Sequence, residues 1–326
     1  MKKVLITTVP FGDKDKRSIE MLNAEGIEYL INPLNRKLTE AELAELVPDF
    51  DAIIAGTEVI SDFVMSHANK LKLISRVGIG LDSVDLLAAK SRGIAVSFTP
   101  DAPAPAVSEL TIGLMLALLR FTHLSNNHIQ NGQWQRYFGR RLGELTIGII
   151  GFGRIGKGVL KHLEGFSCKK ILINDLIDKP NINSTLVIDW VEKEQIYREA
   201  DIITLHLPLT KKTNNMINKK ELLLMKPDAV IINTSRGGII NEDGLFEVLK
   251  DNHLSGAAID VFKQEPYQGP LKKIERCLLT AHMGSMSIDC RSRMEIEATE
   301  EVVRFFKNKT LKGAVPDQEY AVQRDS

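Results

Sequence analysis

The chain has no excess of either charge. Its 326 residues carry 42 Lys+Arg against 42 Asp+Glu, so no bulk field draws it to DNA, RNA or an anionic membrane. Cysteine is scarce. Cys168, Cys277 and Cys290 are the only three; they lie far apart and form neither a CxxC pair nor any metal-ligand spacing. Neither a disulfide framework nor a metal site is expected, and a reducing, cytoplasmic setting fits this usage. Long apolar runs are missing too. The most apolar stretch, 110–119, has 10 residues, whereas a bilayer-spanning helix takes about 20. Behind Met1-Lys2-Lys3 the apolar stretch 4–9 runs straight into Asp13-Lys14-Asp15-Lys16. It is short of the ~7–15 apolar residues of a secretory leader and reads as a first strand. There is also no low-complexity tract and no repeat at a fixed short period.

What is present is an alternation of short β-branched runs with amphipathic helical stretches, the pattern of parallel sheets covered by helices. The length suits two domains. Strands are expected over 3–8, 27–31, 52–55, 73–76 and 94–97, with helices over 13–24 and 39–46, the latter opened by the capping box Thr39-Glu40-Ala41-Glu42. Three prolines in the segment Thr99-Pro100-Asp101-Ala102-Pro103-Ala104-Pro105 mark a boundary, and a long, buried helix should follow from 106 to about 120. A second series predicts strands over 146–150, 171–174, 202–205, 229–233, 256–259 and 277–280. Helices fall over 155–164, 219–224 and 242–250, and a last one runs from about 289 to 308 before a polar tail that should fray.

Within this second series, Gly151-Phe152-Gly153-Arg154-Ile155-Gly156 is a GxGxxG between an apolar strand and a helix, the context that gives the motif meaning. Gly151 permits the tight turn, Gly153 lets the backbone approach a pyrophosphate, and Gly156 lets helix and strand pack closely. The phosphates would meet the N–H groups at the helix start. The next strand ends at Asp175, 19 positions after Gly156, close to the ~20 expected of an acid that binds the ribose hydroxyls. A carboxylate there repels a 2′-phosphate, so the expected cofactor is NAD.

Hydride transfer to a carbonyl needs a proton donor, and an anionic substrate needs a fixed cation. Three successive strand ends carry such groups: Arg236 after 229–233, Asp260 and Glu265 after 256–259, and His282 after 277–280. In an open α/β sheet these ends share the ligand-binding edge. A glutamate beside a histidine stabilises the imidazolium and makes a proton donor near neutrality.

These motifs resemble those of the NAD-dependent D-isomer-specific 2-hydroxyacid dehydrogenases, including phosphoglycerate dehydrogenase-like members. The similarity runs through Arg76-Val77-Gly78-Ile79-Gly80-Leu81-Asp82-Ser83-Val84-Asp85, the proline boundary with Val107-Ser108-Glu109, and the glycine turn with Asp175. It continues through His206-Leu207-Pro208-Leu209-Thr210, the stretches 233–238 and 260–266, and His282-Met283-Gly284. The resemblance implies two Rossmann- and flavodoxin-like α/β lobes joined by two long helices. The smaller, discontinuous substrate lobe would be 1–101 plus 291–326 and the NAD-binding lobe 102–290. It implies that Arg236, Glu265 and His282 are catalytic, and that Val77, Gly78 and Arg236 hold the substrate. It also places Arg154, Ile155, His206, Leu207, Pro208, Thr234, Asp260, His282 and Gly284 with Gly151, Gly153, Gly156 and Asp175 at the cofactor. A small anionic 2-hydroxy or 2-oxo acid would be the substrate and a second copy of the chain the partner, with no nucleic acid, membrane or metal involved. An NAD(H)-sensing, corepressor-like protein of the same fold is the alternative.

The chain departs from that pattern at Gly284-Ser285-Met286-Ser287, which is poorer in glycine, and at 52–57, which lacks the basic residue of phosphoglycerate-specific members. It is expected to lack a separate regulatory domain. Arg136, Arg140 and Arg141 read either as surface or interface arginines or as a second anion-binding group.

Overall fold

The computed structural model describes residues 2–176 and 181–324; Met1, at the head of the basic N-terminus, lies outside them. The chain divides into two compact units, Met1–Pro103 with Met286–Ser326, and Ala104–Ser285. It passes from one to the other twice, each time close to the start of a long helix.

The first unit begins with β1 (Lys3–Ile6), α1 (Arg17–Ala24), β2 (Glu28–Ile31), α2 (Glu40–Leu46), β3 (Ala52–Ala55), α3 (Asp62–His67), β4 (Leu73–Arg76), α4 (Leu86–Ser91) and β5 (Ala95–Phe98). Its five strands are ordered β2-β1-β3-β4-β5, all parallel, the flavodoxin-like arrangement. Alternate strand residues feed opposite faces: Leu5, Ile53 and Ile74 enter one apolar cluster, Val4, Ile6, Ala52 and Ile54 the other. Both faces are thus covered, which is why the strands read as continuous apolar runs.

The second unit contains α5 (Ala104–Leu119), α6 (Thr122–Gln130), β6 (Thr146–Ile150), α7 (Arg154–Glu164), β7 (Lys170–Asn174), β8 (Ile188–Trp190), α8 (Lys193–Glu199) and β9 (Ile202–Leu205). It continues through α9 (Lys219–Leu224), β10 (Val230–Asn233), α10 (Glu242–Lys250), β11 (Gly256–Ile259) and β12 (Cys277–Leu279). The sheet order is β12-β11-β10-β9-β6-β7-β8, again all parallel. This is the doubly wound Rossmann order with a seventh strand. Strand β8 escapes sequence reading because it is three half-buried residues at a sheet edge.

Among the described residues no single helix is long and apolar enough to cross a membrane; α5 and α6 pass that test only as a pair bent by 64°. The apolarity of α5 is explained by packing. Ile112, Met115, Leu118 and Leu119 are buried with Ile147, Ile149 and Val159. A Cβ on Gly158 would stand 2.3 Å from the Ser108 hydroxyl oxygen, so α5 and α7 touch closely.

The first unit is completed by α11 (Ile288–Phe306) and α12 (Asp317–Arg324). The expected fraying of the tail is corrected here. Residues 313–315 pair with β5 through Gly313 and Val315. The Gln323 side chain accepts the Leu86 N–H (2.6 Å) and donates to Val84 O (2.7 Å), so α12 docks on the start of α4. At the other end, α1 begins at Arg17 rather than 13, because the Asp15 carboxylate accepts the Arg17 N–H ahead of the first turn.

Candidate active site

In the second unit β6 and β9 are neighbours although β7 and β8 intervene in sequence, so the strand order reverses between them. Open α/β sheets bind ligands at such a point. The 151–156 turn leaves β6 there, and His206-Leu207-Pro208 leaves β9. Gly151 has φ +96°, and a Cβ on it would lie 2.2 Å from His206 O. A Cβ on Gly156 would lie 2.2 Å from Gly151 O. Gly153 differs: nothing stands within 4 Å of its Cβ position, and it caps α7 without any side-chain bond. The N–H groups of Arg154 and Ile155 thus open α7 beside free space, where a phosphate would sit.

Asp175 directly follows β7. Its carboxylate accepts the Leu176 N–H (2.6 Å) and the Phe152 N–H, holding the acid against the glycine turn. His206 is half-buried; its Nε2 meets Thr204 Oγ1 at 3.0 Å, and its Nδ1, shielded from solvent, has no hydrogen-bond partner among the described residues. Burial pushes its pKa down to about 3, so it stays neutral. Pro208 O accepts the Thr213 hydroxyl at 2.7 Å. The turn, the free space and the acid fit a dinucleotide.

The second constellation sits where β10, β11 and β12 end side by side. His282 Nδ1 lies 2.9 Å from Glu265 Oε2 and 3.1 Å from Oε1. A carboxylate only accepts, so Nδ1 carries the proton and Nε2 is the nitrogen left for a substrate. Glu265 Oε1 also accepts the Phe262 N–H (3.1 Å). Arg236 is half-buried on the adjoining loop, with its Nη1 donating to Ser235 O (2.7 Å). That loop is pressed onto the Glu265 loop, since a Cβ on Gly237 would lie 2.0 Å from the Phe262 carbonyl carbon. Arg236, Glu265 and His282 therefore come from three adjacent strand ends.

Two expected cofactor residues are engaged internally. The Thr234 hydroxyl is buried against Thr111 Oγ1 at 2.9 Å. Asp260, with no exposure, accepts the Thr280 hydroxyl (2.6 Å) and the N–H groups of Met283 (2.9 Å) and Gly284 (2.9 Å). Sequence reasoning missed this hub, together with Thr280 and Thr111. Its visible signal was an Asp ending one strand and a Thr at the end of the next.

In the first unit, Val77 N–H donates to Ala55 O (2.9 Å) and Gly78 N–H to Thr99 Oγ1 (2.8 Å). The Gly78 amide, which by resemblance receives a substrate carboxylate, is thus held by a threonine. Past β3, Glu58 is 2% exposed and accepts the Gly56 N–H (2.9 Å) and the Thr7 hydroxyl.

Of the three arginines after α6, two serve the fold of the second unit. Arg140 pairs with Asp201 and Asp228, each at 3.0 Å, and Arg141 pairs with Glu144 at 2.6 Å. Arg136 is exposed.

Fold and site define a dinucleotide-binding α/β oxidoreductase. Residues 112–284 match the model of the D-isomer specific 2-hydroxyacid dehydrogenase, NAD binding domain. The hydroxypyruvate reductase of Thermotoga maritima is 35% identical over 302 residues, 89% of this chain and 95% of that protein. The D-3-phosphoglycerate dehydrogenase of Methanocaldococcus jannaschii is 36% identical over 284 residues, 85% of this chain but 54% of that protein. Among solved structures, the TT0316 protein of Thermus thermophilus superposes with a TM-score of 0.87 at 30% identity, covering 96% of this chain and 100% of the other. The chain belongs to the D-isomer specific 2-hydroxyacid dehydrogenase family and is an oxidoreductase that uses NAD.

Proposed function

We propose that the protein reduces a short, unphosphorylated 2-oxo acid such as hydroxypyruvate to its D-2-hydroxy acid, and runs the reverse reaction. The observation that carries this reading is the His282–Glu265 pair on one sheet edge with the Arg236 loop. Bound NAD(H) supplies or accepts the hydride. His282 gives the carbonyl oxygen its proton through Nε2, while Glu265 holds the ring and stabilises its charged form. Arg236 is a fixed charge for the carboxylate and for the negative charge that develops on the carbonyl oxygen. Val77 and Gly78 stay substrate-binding residues in this reading by resemblance, their amides held here by Ala55 O and Thr99 Oγ1.

A short substrate is favoured over a phosphorylated one by two features. The stretch 52–57 carries no basic residue and Glu58 just after it is a buried acid, and the relative matched along 95% of its length is a hydroxypyruvate reductase. NADH oxidation should be measured with glyoxylate, hydroxypyruvate and pyruvate, and NAD reduction with D-glycerate and 3-phosphoglycerate, each repeated with NADP(H). The highest kcat/KM is expected for hydroxypyruvate with NADH. A preference for phosphoglycerate would overturn the substrate assignment, and no turnover on any acid would favour the NAD(H)-sensing alternative.

The same reading includes a homodimer in the cytoplasm. Trp134 and Phe138 are 85% and 102% exposed on a segment pinned by Tyr137 Oη to His128 Nδ1 (2.7 Å) and by Arg140 to Asp201. A pinned segment that displays large apolar side chains suits a second copy of the chain. Three free, buried cysteines suit a reducing compartment. Light scattering should return twice the chain mass; a monomer would sink the dimer.

A further inference from the structure

His282 has φ +50°, a left-handed conformation that disfavours any residue with a Cβ and persists only where the surroundings over-determine it. Those surroundings converge on one residue. Asp260 O accepts the His282 N–H at 2.8 Å. Asp260 Oδ1 accepts the Thr280 hydroxyl (2.6 Å) and the Met283 N–H (2.9 Å), and Oδ2 accepts the Gly284 N–H (2.9 Å). The histidine is therefore tied to Asp260 directly and through the residues around it. Space is tight as well: a Cβ on Gly284 would come within 3.2 Å of Asp260 Oδ2 and 3.3 Å of Val107. Asp260 also stands at the root of the loop that carries Glu265, and its own N–H is fixed to Asn233 O at 3.0 Å. No cation pairs with it among the described residues. Its hydrogen bonds run to the 280–284 turn and to the neighbouring strand end.

We propose that Asp260 is a positioning residue of the catalytic histidine, holding the 280–284 turn in the one shape that presents His282 with Nδ1 on Glu265. This role rests on His282 being the acid/base and differs from a direct cofactor contact. Only a carboxylate serves all three donors. An amide has a single acceptor oxygen, and its NH2 group would oppose an N–H.

The test is Asp260→Asn in the full chain with NADH present, read in three ways. These are kcat and KM for hydroxypyruvate, the NADH Kd by fluorescence, and the Nδ1–H signal of His282 in 15N-histidine-labelled protein, assigned with His282→Gln. A misplacement of the order of 1 Å costs about 100-fold in rate, so kcat should fall by about that factor with the NADH Kd unchanged. The Nδ1–H signal should shift or disappear. Unchanged kcat and signal would overturn the proposal, as would a raised NADH Kd with the signal intact, which is the mark of a cofactor contact. If Asp260→Asn does not fold, Thr280→Val removes one of the three donors and should move signal and kcat in the same direction by less. Thr280→Ser keeps the hydroxyl and should restore both; equal loss in the two Thr280 variants would count against the role. If the wild-type chain turns over no 2-oxo acid, the functional reading fails on that result alone, while the His282 signal still decides what Asp260 does.

Discussion

The proposed cofactor turn and the proposed catalytic corner sit on the same sheet edge and are built by opposite means. At the turn, structure comes from side chains that are missing. Gly151 and Gly156 let backbone meet backbone where a Cβ would stand 2.2 Å from a carbonyl oxygen, and Gly153 leaves a space. At the corner, structure comes from side chains that saturate one another. The Asp260 carboxylate takes three donors, and Glu265 takes His282 and the Phe262 N–H. A site made by omission tolerates no addition. A site made by hydrogen bonds tolerates neutral packing changes but not the loss of an acceptor.

The largest effect should come from adding a methyl group to the turn. Gly151→Ala meets the His206 carbonyl at φ +96°, a steric and conformational conflict worth about 3 kcal/mol or more. Urea unfolding should show that loss, and fluorescence titration should show no NADH binding. Gly153→Ala is its control: with open space around the Cβ position, stability should hold while NADH binding weakens. Equal destabilisation by the two variants would break the view that only Gly153 is reserved for a ligand.

Cutting the corner should give the converse. His282→Ala should lower turnover by at least about 100-fold, the usual worth of a positioned acid/base, with NADH binding intact. Single-turnover mixing with NADH and the best 2-oxo acid checks this, and wild-type turnover would remove His282 from the mechanism.

The same contrast explains what was legible in the amino-acid order. A glycine turn between a strand and a helix is a local requirement, so 151–156 and the acid at 175 could be located without a structure. Arg236, Glu265 and His282 were legible as strand ends because parallel strands deliver their carboxyl ends to one edge. The hydrogen bonds that fix the neighbouring Asp260 and Thr234 were not. Thr280 meets Asp260 from 20 positions away, and Thr111 meets Thr234 from 123; only tertiary packing chooses such pairs. The helix α12 was missed for the same reason. Its sequence is mostly polar, and it is held by Gln323 on the backbone at the start of α4 and by the single aromatic Tyr320 against the apolar core.

A second buried acid, at the opposite edge of the sheet where the strands begin, sharpens the comparison by adding charge partners. Asp201, just before β9, accepts the Thr146 N–H (2.8 Å) and pairs with Arg140 and Lys226, both at 3.0 Å. Burial alone, the largest influence, would raise its pKa. The Thr146 amide, Arg140 and Lys226 together outweigh burial and hold the carboxyl below its usual range. A folded value below the unfolded one means stability that is present above the unfolded value of about 4 and lost as pH falls through the folded value. Asp201→Asn should therefore cost about 1–2 kcal/mol at pH 7, the scale of a hydrogen bond to a charged group, and less below pH 4. Urea denaturation at pH 7 and at about pH 3 checks this. A cost independent of pH would mean that the shape of the side chain, rather than its charge, ties Arg140 and the segment it anchors to the sheet.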